Sequence, residues 1–461
     1  MIKVDFKTAK DRQKLLGFGT SACWWSHKIP SPEVAQELAE LLYGESGLGL
    51  NIYRYNVGAG WDENNCRVNN PWRRVESFYI YDDDNESEHY HGGGYDWKRD
   101  RTAYNFMKLC LETGRIDTVV LFANSPHYAF TASGQASGGI MHHTTNLPKS
   151  NYKRFVDYFL DITEHFIEDG IPVNYISPIN EPQWKWGGKH VWQEGCHYEP
   201  EEVYEILHLF AEALEKRGLA VKLYTPESGE LFGVTEQYFE RITADELIMK
   251  HLGVFAVHSY HSDRDLQIRK SFYEKIISKN PQIRFDMSEW CELPCKHGTK
   301  TVESALIAAR IIGWDLTELG AQTWTSWVAV NQIADFKGDG RDYSDGLLSA
   351  SDSFAYYYIC KRYYAFAHFA KFLPIGSTVL ESVTDKAGGL NLFMFKTPQN
   401  ESILVAVNEG RSTEIEINAN AGFEQIYSTT EKKSLKLEYD GEFNPTLRLK
   451  GKSITTVKLW K

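Results

Sequence analysis

At 461 residues the chain is about two to three times an ordinary domain, so it either divides or belongs to a large architecture such as an α/β barrel. Hydrophobic residues at 42% and charged residues at 24% exclude a disordered chain, and no apolar run reaches the roughly 18 residues that would read as a membrane span. With 50 Lys and Arg against 62 Asp and Glu the net charge is −12, the wrong sign for neutralising phosphates, which excludes nucleic acid and anionic membranes as partners.

The opening MIKVDFK alternates apolar and polar residues as a half-buried strand does. Eight short apolar runs follow: Leu16 to Ser21, Leu48 to Val57, Thr118 to Ala123, Val173 to Ile179, Val221 to Pro226, Val254 to Tyr260, Ile283 to Ser288 and Ala321 to Ala329. Amphipathic stretches lie between them at Ser31 to Tyr43, Trp97 to Glu112, Ser150 to Glu168, Pro200 to Lys216, Asp265 to Ser278 and Thr301 to Leu319. This alternation predicts a (β/α)8 TIM barrel with insertions over residues 16–370, and the first run lacks the GxGxxG of its doubly wound rival. After Ser351 a last helix rich in Tyr and Phe is expected to run to about Ala370. From Leu373 the chain turns to short alternating segments with Asn-Glu-Gly and Asp-Gly turns, the pattern of an antiparallel β-sandwich. Residues 371–461, joined by residues 1–15, are expected to form that second domain.

The first residues carry no apolar signal core, and seven cysteines form an odd set without a CxxC pair. The expectation is a cytoplasmic protein, or a secreted one if the natural chain starts earlier.

Catalytic groups of such barrels stand at the C-terminal ends of strands, where two carboxylates draw attention. The fourth run ends YISPINEPQW, placing Asn180 and Glu181 ahead of Pro182, and the seventh ends IRFDMSEWCE, placing Glu289 between Ser288 and Trp290. Strands four and seven face each other across a barrel mouth, so the two carboxylates can converge on one bond. Paired carboxylates at about 5–5.5 Å suit a retaining glycosidase, one as nucleophile and one as acid and then base. The nucleophile has to stay ionised, and Arg54 in LNIYRYNVG is placed to favour that.

GFGTSACWW, YRYN, NSPHY, SPINEPQW, VHSYH and SEW resemble glycoside hydrolase family 30 in order and spacing, and KFLPIGSTVLES is similar to that family's entry into its sandwich. The resemblance implies a (β/α)8 barrel with attached sandwich and retaining hydrolysis of β-glycosides without metal or cofactor. It implies Glu181 as acid/base, Glu289 as nucleophile, Asn180 as donor to the sugar 2-hydroxyl, and Arg54 and Tyr260 as partners of the nucleophile. His258, Asn124 and Tyr128 fall within the same motifs and are expected to line the substrate site. NSPHYAFTASG and SPINEPQWKW followed by WQEGC look most like the β-1,6-galactanase branch. A β-1,6-linked galactan or galacto-oligosaccharide is therefore the expected substrate; β-1,6-glucan, glucosyl or fucosyl β-glycosides and β-xylan are the alternatives.

Aromatic residues make up 14% of the chain and cluster near the same strand ends: Trp24, Trp25, Trp61, Trp184, Trp186, Trp192, Trp290, Trp324 and Trp327. Flat rings beside polar donors suit the apolar faces of sugars, and Trp24, Trp184 and Trp324 are the expected platform. His91 to Gly94 resembles an esterase oxyanion loop, but without a GxSxG elbow it reads as a flexible insertion. His89, His91, His142 and His143 lack a metal-site pattern and read as surface residues, and the acidic run from Tyr81 to Glu86 reads as solvated. A carbohydrate-binding barrel without catalysis, and a metal-dependent or serine hydrolase, are the rival classes.

Overall fold

A computed structural model of the chain describes residues 2–87, 90–141, 144–188, 193–385 and 388–461, with side chains throughout these except 82–93. Eight parallel strands close into a barrel: β1 (Gly17–Ser21), β2 (Ile52–Asn56), β3 (Thr118–Phe122), β4 (Val173–Ser177), β5 (Lys222–Ser228), β6 (Leu252–His258), β7 (Phe285–Trp290) and β8 (Thr323–Ser326). β8 completes the ring by pairing Thr323 with Gly17 and Trp324 with Phe18. Continuous apolar runs form these strands because both faces are covered, and every residue of β1, β2, β7 and β8 is buried.

Nine α-helices occur among the described residues: α1 (Pro32–Tyr43), α2 (Arg101–Leu111), α3 (Tyr152–Glu168), α4 (Pro200–Arg217), α5 (Val234–Thr243), α6 (Glu246–His251), α7 (Leu266–Lys275), α8 (Val302–Trp314) and α9 (Lys361–Ala370). Local chemistry sets the ends of α4: Glu199 and Glu202 form a reciprocal capping box, Pro200 occupies the first turn, and Gly218 stops the helix at φ 66°. That helix follows the long β4–α4 loop.

The barrel and the sandwich both match the sequence reading, but four local features differ. β5 continues past Pro226 to Ser228, which carries Glu227 into the barrel mouth. α5 and α6 fill the β5–β6 connection, where no helix was read. His91 to Gly94 is paired strand rather than flexible insertion: Tyr79–Ser87 and Tyr90–Tyr95 form an antiparallel ribbon between β2 and α2. Tyr357–Ile359 is a strand paired with Leu348–Ala350, so the last helix begins only at Lys361; a Tyr-Tyr-Ile run suits a pleated surface better than a helix. Trp192, His89, His142 and His143 lie outside the described residues, as do the side chains of residues 82–86 and His91.

The sandwich uses both ends of the chain. Ile2–Asp5 pairs in parallel with Thr413–Asn418, and Asp11–Lys14 pairs antiparallel with Thr378–Leu380. Its larger sheet packs on α8 and α9. At Gly313 of α8 an added Cβ would stand 2.0 Å from the Phe393 ring, so only glycine lets the two domains approach this closely. Beside it Trp314 Nε1 donates to Asn391 Oδ1 at 2.9 Å, and Arg310 makes two 2.7 Å bonds to Glu409. No helix among the described residues is long and apolar enough to cross a membrane.

Candidate active site

The middle of β2 and the C-terminal ends of β4, β5, β6 and β7 deliver five charged or ionisable groups to one buried cluster. Arg54 rises from the middle of β2 and is 1% exposed, its guanidinium 3.5 Å from the centre of the Phe122 ring. Nη1 donates to Glu289 Oε2 at 2.8 Å; Nη2 donates to Asn180 Oδ1 at 2.9 Å and to Glu227 Oε1 at 3.1 Å. One cation thus fixes the carboxylate at the end of β7, the amide after β4 and a third carboxylate at the end of β5.

Glu181 sits four residues beyond β4 with φ +47°, and Glu227 has φ +55°. Both are left-handed positions that cost a non-glycine residue energy. They are tied together by the Glu181 N–H donating to the Glu227 carbonyl at 2.9 Å. Gly229 makes room for the result, since a Cβ there would meet Trp184 Nε1 at 2.4 Å and Glu181 Oε1 at 2.9 Å.

His258, the last residue of β6 and wholly buried, bridges the carboxylates: Nδ1 is 3.0 Å from Glu181 Oε1 and Nε2 3.0 Å from Glu227 Oε2. Burial opposes charge on this imidazole, but Glu289, Glu181 and Glu227 outweigh it and lift the group to about 10, so both ring nitrogens donate at neutral pH. Burial also works against an ionised Glu227; Arg54, His258 and Ser288 reverse that and hold it at about 2. Ser177 adds a further donor at 3.0 Å.

An oxygen of Glu181, an oxygen of Glu289 and a nitrogen of His258 lie within 4.8 Å of one another. Burial, joined by repulsion from Glu181 and Glu227, pushes the Glu289 carboxyl up to about 7 against the pull of His258 and Arg54. Direct donors favour the charge on Glu289, because Tyr260 donates to its Oε1 at 3.2 Å in addition to Arg54. A His-Glu-Glu set can also ligate a divalent ion, but here Arg54 and His258 already supply the positive charge these carboxylates face.

Tyr260→Phe removes a donor to ionised Glu289. Activity requires that carboxylate charged and is lost as pH falls through its raised value, so the variant is expected to shift the acid limb of a kcat/KM profile upward. One hydrogen bond of about 1 kcal/mol corresponds to roughly 0.7 pH unit.

Of the residues expected from sequence, Glu181, Glu289, Asn180, Arg54, His258 and Tyr260 meet in this cluster. Asn124 adjoins it, accepting from Asn180 Nδ2 at 3.2 Å. Trp24 lies beside it against Trp327, ring centres 4.9 Å apart. Trp184 is half-buried next to Glu181, edge-on to His261. Tyr128 stands further out, beside His127 and Gly60. Trp324 is a correction: its indole donates to Asp315 Oδ2 at 3.0 Å and packs on Phe366 of α9, so it faces the helical layer. Alternation along β8 left open which tryptophan points inward, and the structure puts Trp327 over Arg54, 5.9 Å from its ring centre. Trp25 and Trp290 are core residues as well, packed on Phe106 and Trp324.

Glu227 was missed because Pro226 reads as the end of a strand; Glu-Ser at the end of the fifth run was the available signal. Glu194 was also missed. It lies in the β4–α4 loop, where no periodicity marks it, yet it is buried beside the end of β2.

Residues 1–348 match the family model described as O-glycosyl hydrolase family 30. An endo-beta-1,6-galactanase of Hypocrea rufa is 25% identical over 222 residues, covering 44% of this chain and 44% of that protein. An exo-beta-1,6-galactobiohydrolase of Bifidobacterium longum subsp. longum is 27% identical over 222 residues, covering 37% of this chain and 14% of that protein. The chain thus spans less than half the length of either relative. A conserved exported protein from Bacteroides fragilis has the same fold, with TM-score 0.80 at 24% identity over 98% of this chain and 99% of that one. The catalytic domain of the GH30 xylanase C from Talaromyces cellulolyticus gives TM-score 0.70 at 14% identity over 98% of each chain. With a family match across the barrel and a barrel-plus-sandwich fold shared along the whole chain, the protein belongs to glycoside hydrolase family 30.

Proposed function

We propose that the protein is a retaining β-glycosidase acting on β-1,6-linked galactan or galacto-oligosaccharides, with Glu181 as acid/base and Glu289 as nucleophile. The observation that carries this reading is the approach of one oxygen of each carboxyl group to within 4.8 Å of the other, with Arg54 and Tyr260 both donating to Glu289. Retention needs carboxyl groups about 5–5.5 Å apart, whereas inversion needs roughly 6.5–9.5 Å so that a water fits between nucleophile and sugar.

In the first step the Glu289 carboxylate attacks the anomeric carbon as the bond to the leaving oxygen breaks, and Glu181 gives that oxygen its proton. In the second, Glu181 takes a proton from water, whose oxygen displaces Glu289 and restores the original configuration. Asn180 spends one amide hydrogen on Asn124 while Arg54 holds its carbonyl oxygen, which leaves the other hydrogen for the sugar 2-hydroxyl. Trp184, Trp24 and Trp327 supply ring faces and edges beside the reacting bond. The charge this chemistry needs comes from side chains.

The named activities of the Hypocrea and Bifidobacterium relatives support the β-1,6-galactan assignment. Product analysis on β-1,6-galactan, β-1,6-glucan and β-xylan tests it: galactose or β-1,6-galacto-oligosaccharides are expected from the first and negligible release from the others. Preferential release from glucan or xylan overturns the substrate, and release from none of the three or from galacto-oligosaccharides overturns the activity.

A further inference from the structure

We propose that Glu194 binds the 3- and 4-hydroxyl edge of the sugar whose bond is cleaved, and so selects the galacto configuration. This rests on the glycosidase reading above.

Glu194 reaches the barrel mouth from the β4–α4 loop. Its Oε1 accepts the Ala59 N–H at 3.0 Å and its Oε2 accepts Asn56 Nδ2 at 3.1 Å. The Trp24 indole and the Asn124 amide also act on this carboxylate as donors but close no hydrogen bond to it, which leaves its oxygens room for a ligand's hydroxyls. Two neighbours are incomplete: the Trp24 indole N–H and Asn56 Oδ1 have no hydrogen-bond partner among the described residues, although Trp24 is only 4% and Asn56 5% exposed. Buried polar atoms are normally paired, so a donor and an acceptor left open beside a carboxylate point to a hydroxyl-bearing ligand.

The group is a continuation of the catalytic wall. Asn124 links it to the site, accepting from Asn180 and donating to Cys23 Sγ at 3.2 Å, and Trp24 packs on the Trp327 that lies over Arg54. Glu194 is 3% exposed, the same as Glu289, whereas Glu227 is 0% exposed and walled off. Hydroxyls follow one another around a pyranose ring. With the 2-hydroxyl at Asn180, the 3- and 4-hydroxyls run past Asn124 toward Glu194. Galactose differs from glucose at carbon 4, where its hydroxyl is axial; the 3- and 4-hydroxyls are gauche in both sugars, so a fixed carboxylate selects by the side of the ring on which the 4-hydroxyl lies. Burial pushes Glu194 up to about 7 while donors at Ala59, Asn56, Trp24 and Asn124 hold it back, none of them the cation of a structural ion pair.

The test uses 4-nitrophenyl β-1,6-galactobioside and its analogues deoxygenated at carbon 2, 3 or 4 of the galactose bearing the nitrophenyl group. Glu194→Gln is expected to lower kcat/KM on the parent by about 10- to 100-fold, the loss of a hydrogen bond to a charged group. On the 4-deoxy substrate the loss should shrink below about 3-fold, while the full loss persists on the 2-deoxy substrate. An equal loss on all four makes Glu194 a staple between the loop and β2 and overturns the proposal. So does equal cleavage of parent and 4-deoxy substrate by the wild type, a readout that stands even if the variant fails to fold. If the wild type leaves the galactobioside intact but cleaves a glucoside or xyloside, the substrate reading fails, and the same deoxy series on that sugar decides the role of Glu194.

Discussion

Glu289→Gln is expected to abolish hydrolysis, lowering kcat by about 10⁴-fold or more, the order seen when a covalent nucleophile is removed. The side chain is 3% exposed and Arg54 Nη1 stands 2.8 Å from its oxygen, so an isosteric amide keeps the packing and one acceptor toward Arg54. What it loses is the negative charge that attacks the anomeric carbon. The same change removes repulsion with Glu181 and Glu227, two of the influences that push Glu289 up. A melting temperature equal to or above that of the wild type should therefore accompany inactivity, the usual exchange of stability for function at a strained site. Undiminished hydrolysis by a folded variant would remove Glu289 from the role of nucleophile.

Glu181→Ala should separate the two halves of the reaction. General acid catalysis contributes about 10² to 10⁴-fold, so hydrolysis of the natural glycan, whose leaving group needs a proton, should fall by that order. A 4-nitrophenyl glycoside, whose leaving group needs little help, should still give a burst of nitrophenol followed by slow turnover, because the glycosyl-enzyme waits for a base. The methyl left at position 181 opens space, and added azide, which needs no base, should restore turnover and yield a β-glycosyl azide. An α-glycosyl azide formed by a Glu289→Ala variant is the complementary expectation. An exchange of those two products between the variants would reverse the roles of the carboxylates.

The barrel was legible because its strands are apolar on both faces and separated by amphipathic helices, and the sandwich because its segments alternate. Glu181 and Glu289 were legible because they stand where strands four and seven give out. What escaped depends on tertiary geometry. Pro226 hid Glu227, since a proline within a strand reads as a boundary, yet β5 carries on to place a third carboxylate against Arg54 and His258. Trp324 and Trp327 could not be told apart, because the pattern at the end of β8 does not show which face turns inward. Glu194 comes from a loop in which no periodicity marks its place; only the bonds to Asn56 and Ala59 reveal it.

The central claim, retention through a carboxylate pair whose facing oxygens lie within 4.8 Å, is tested most directly by following the hydrolysis of β-1,6-galactobiose by proton NMR and reading the anomer formed first. The newly released galactose from the non-reducing end should appear as the β-anomer and only then mutarotate. First appearance of the α-anomer would mean inversion and would contradict the nucleophile and the spacing together.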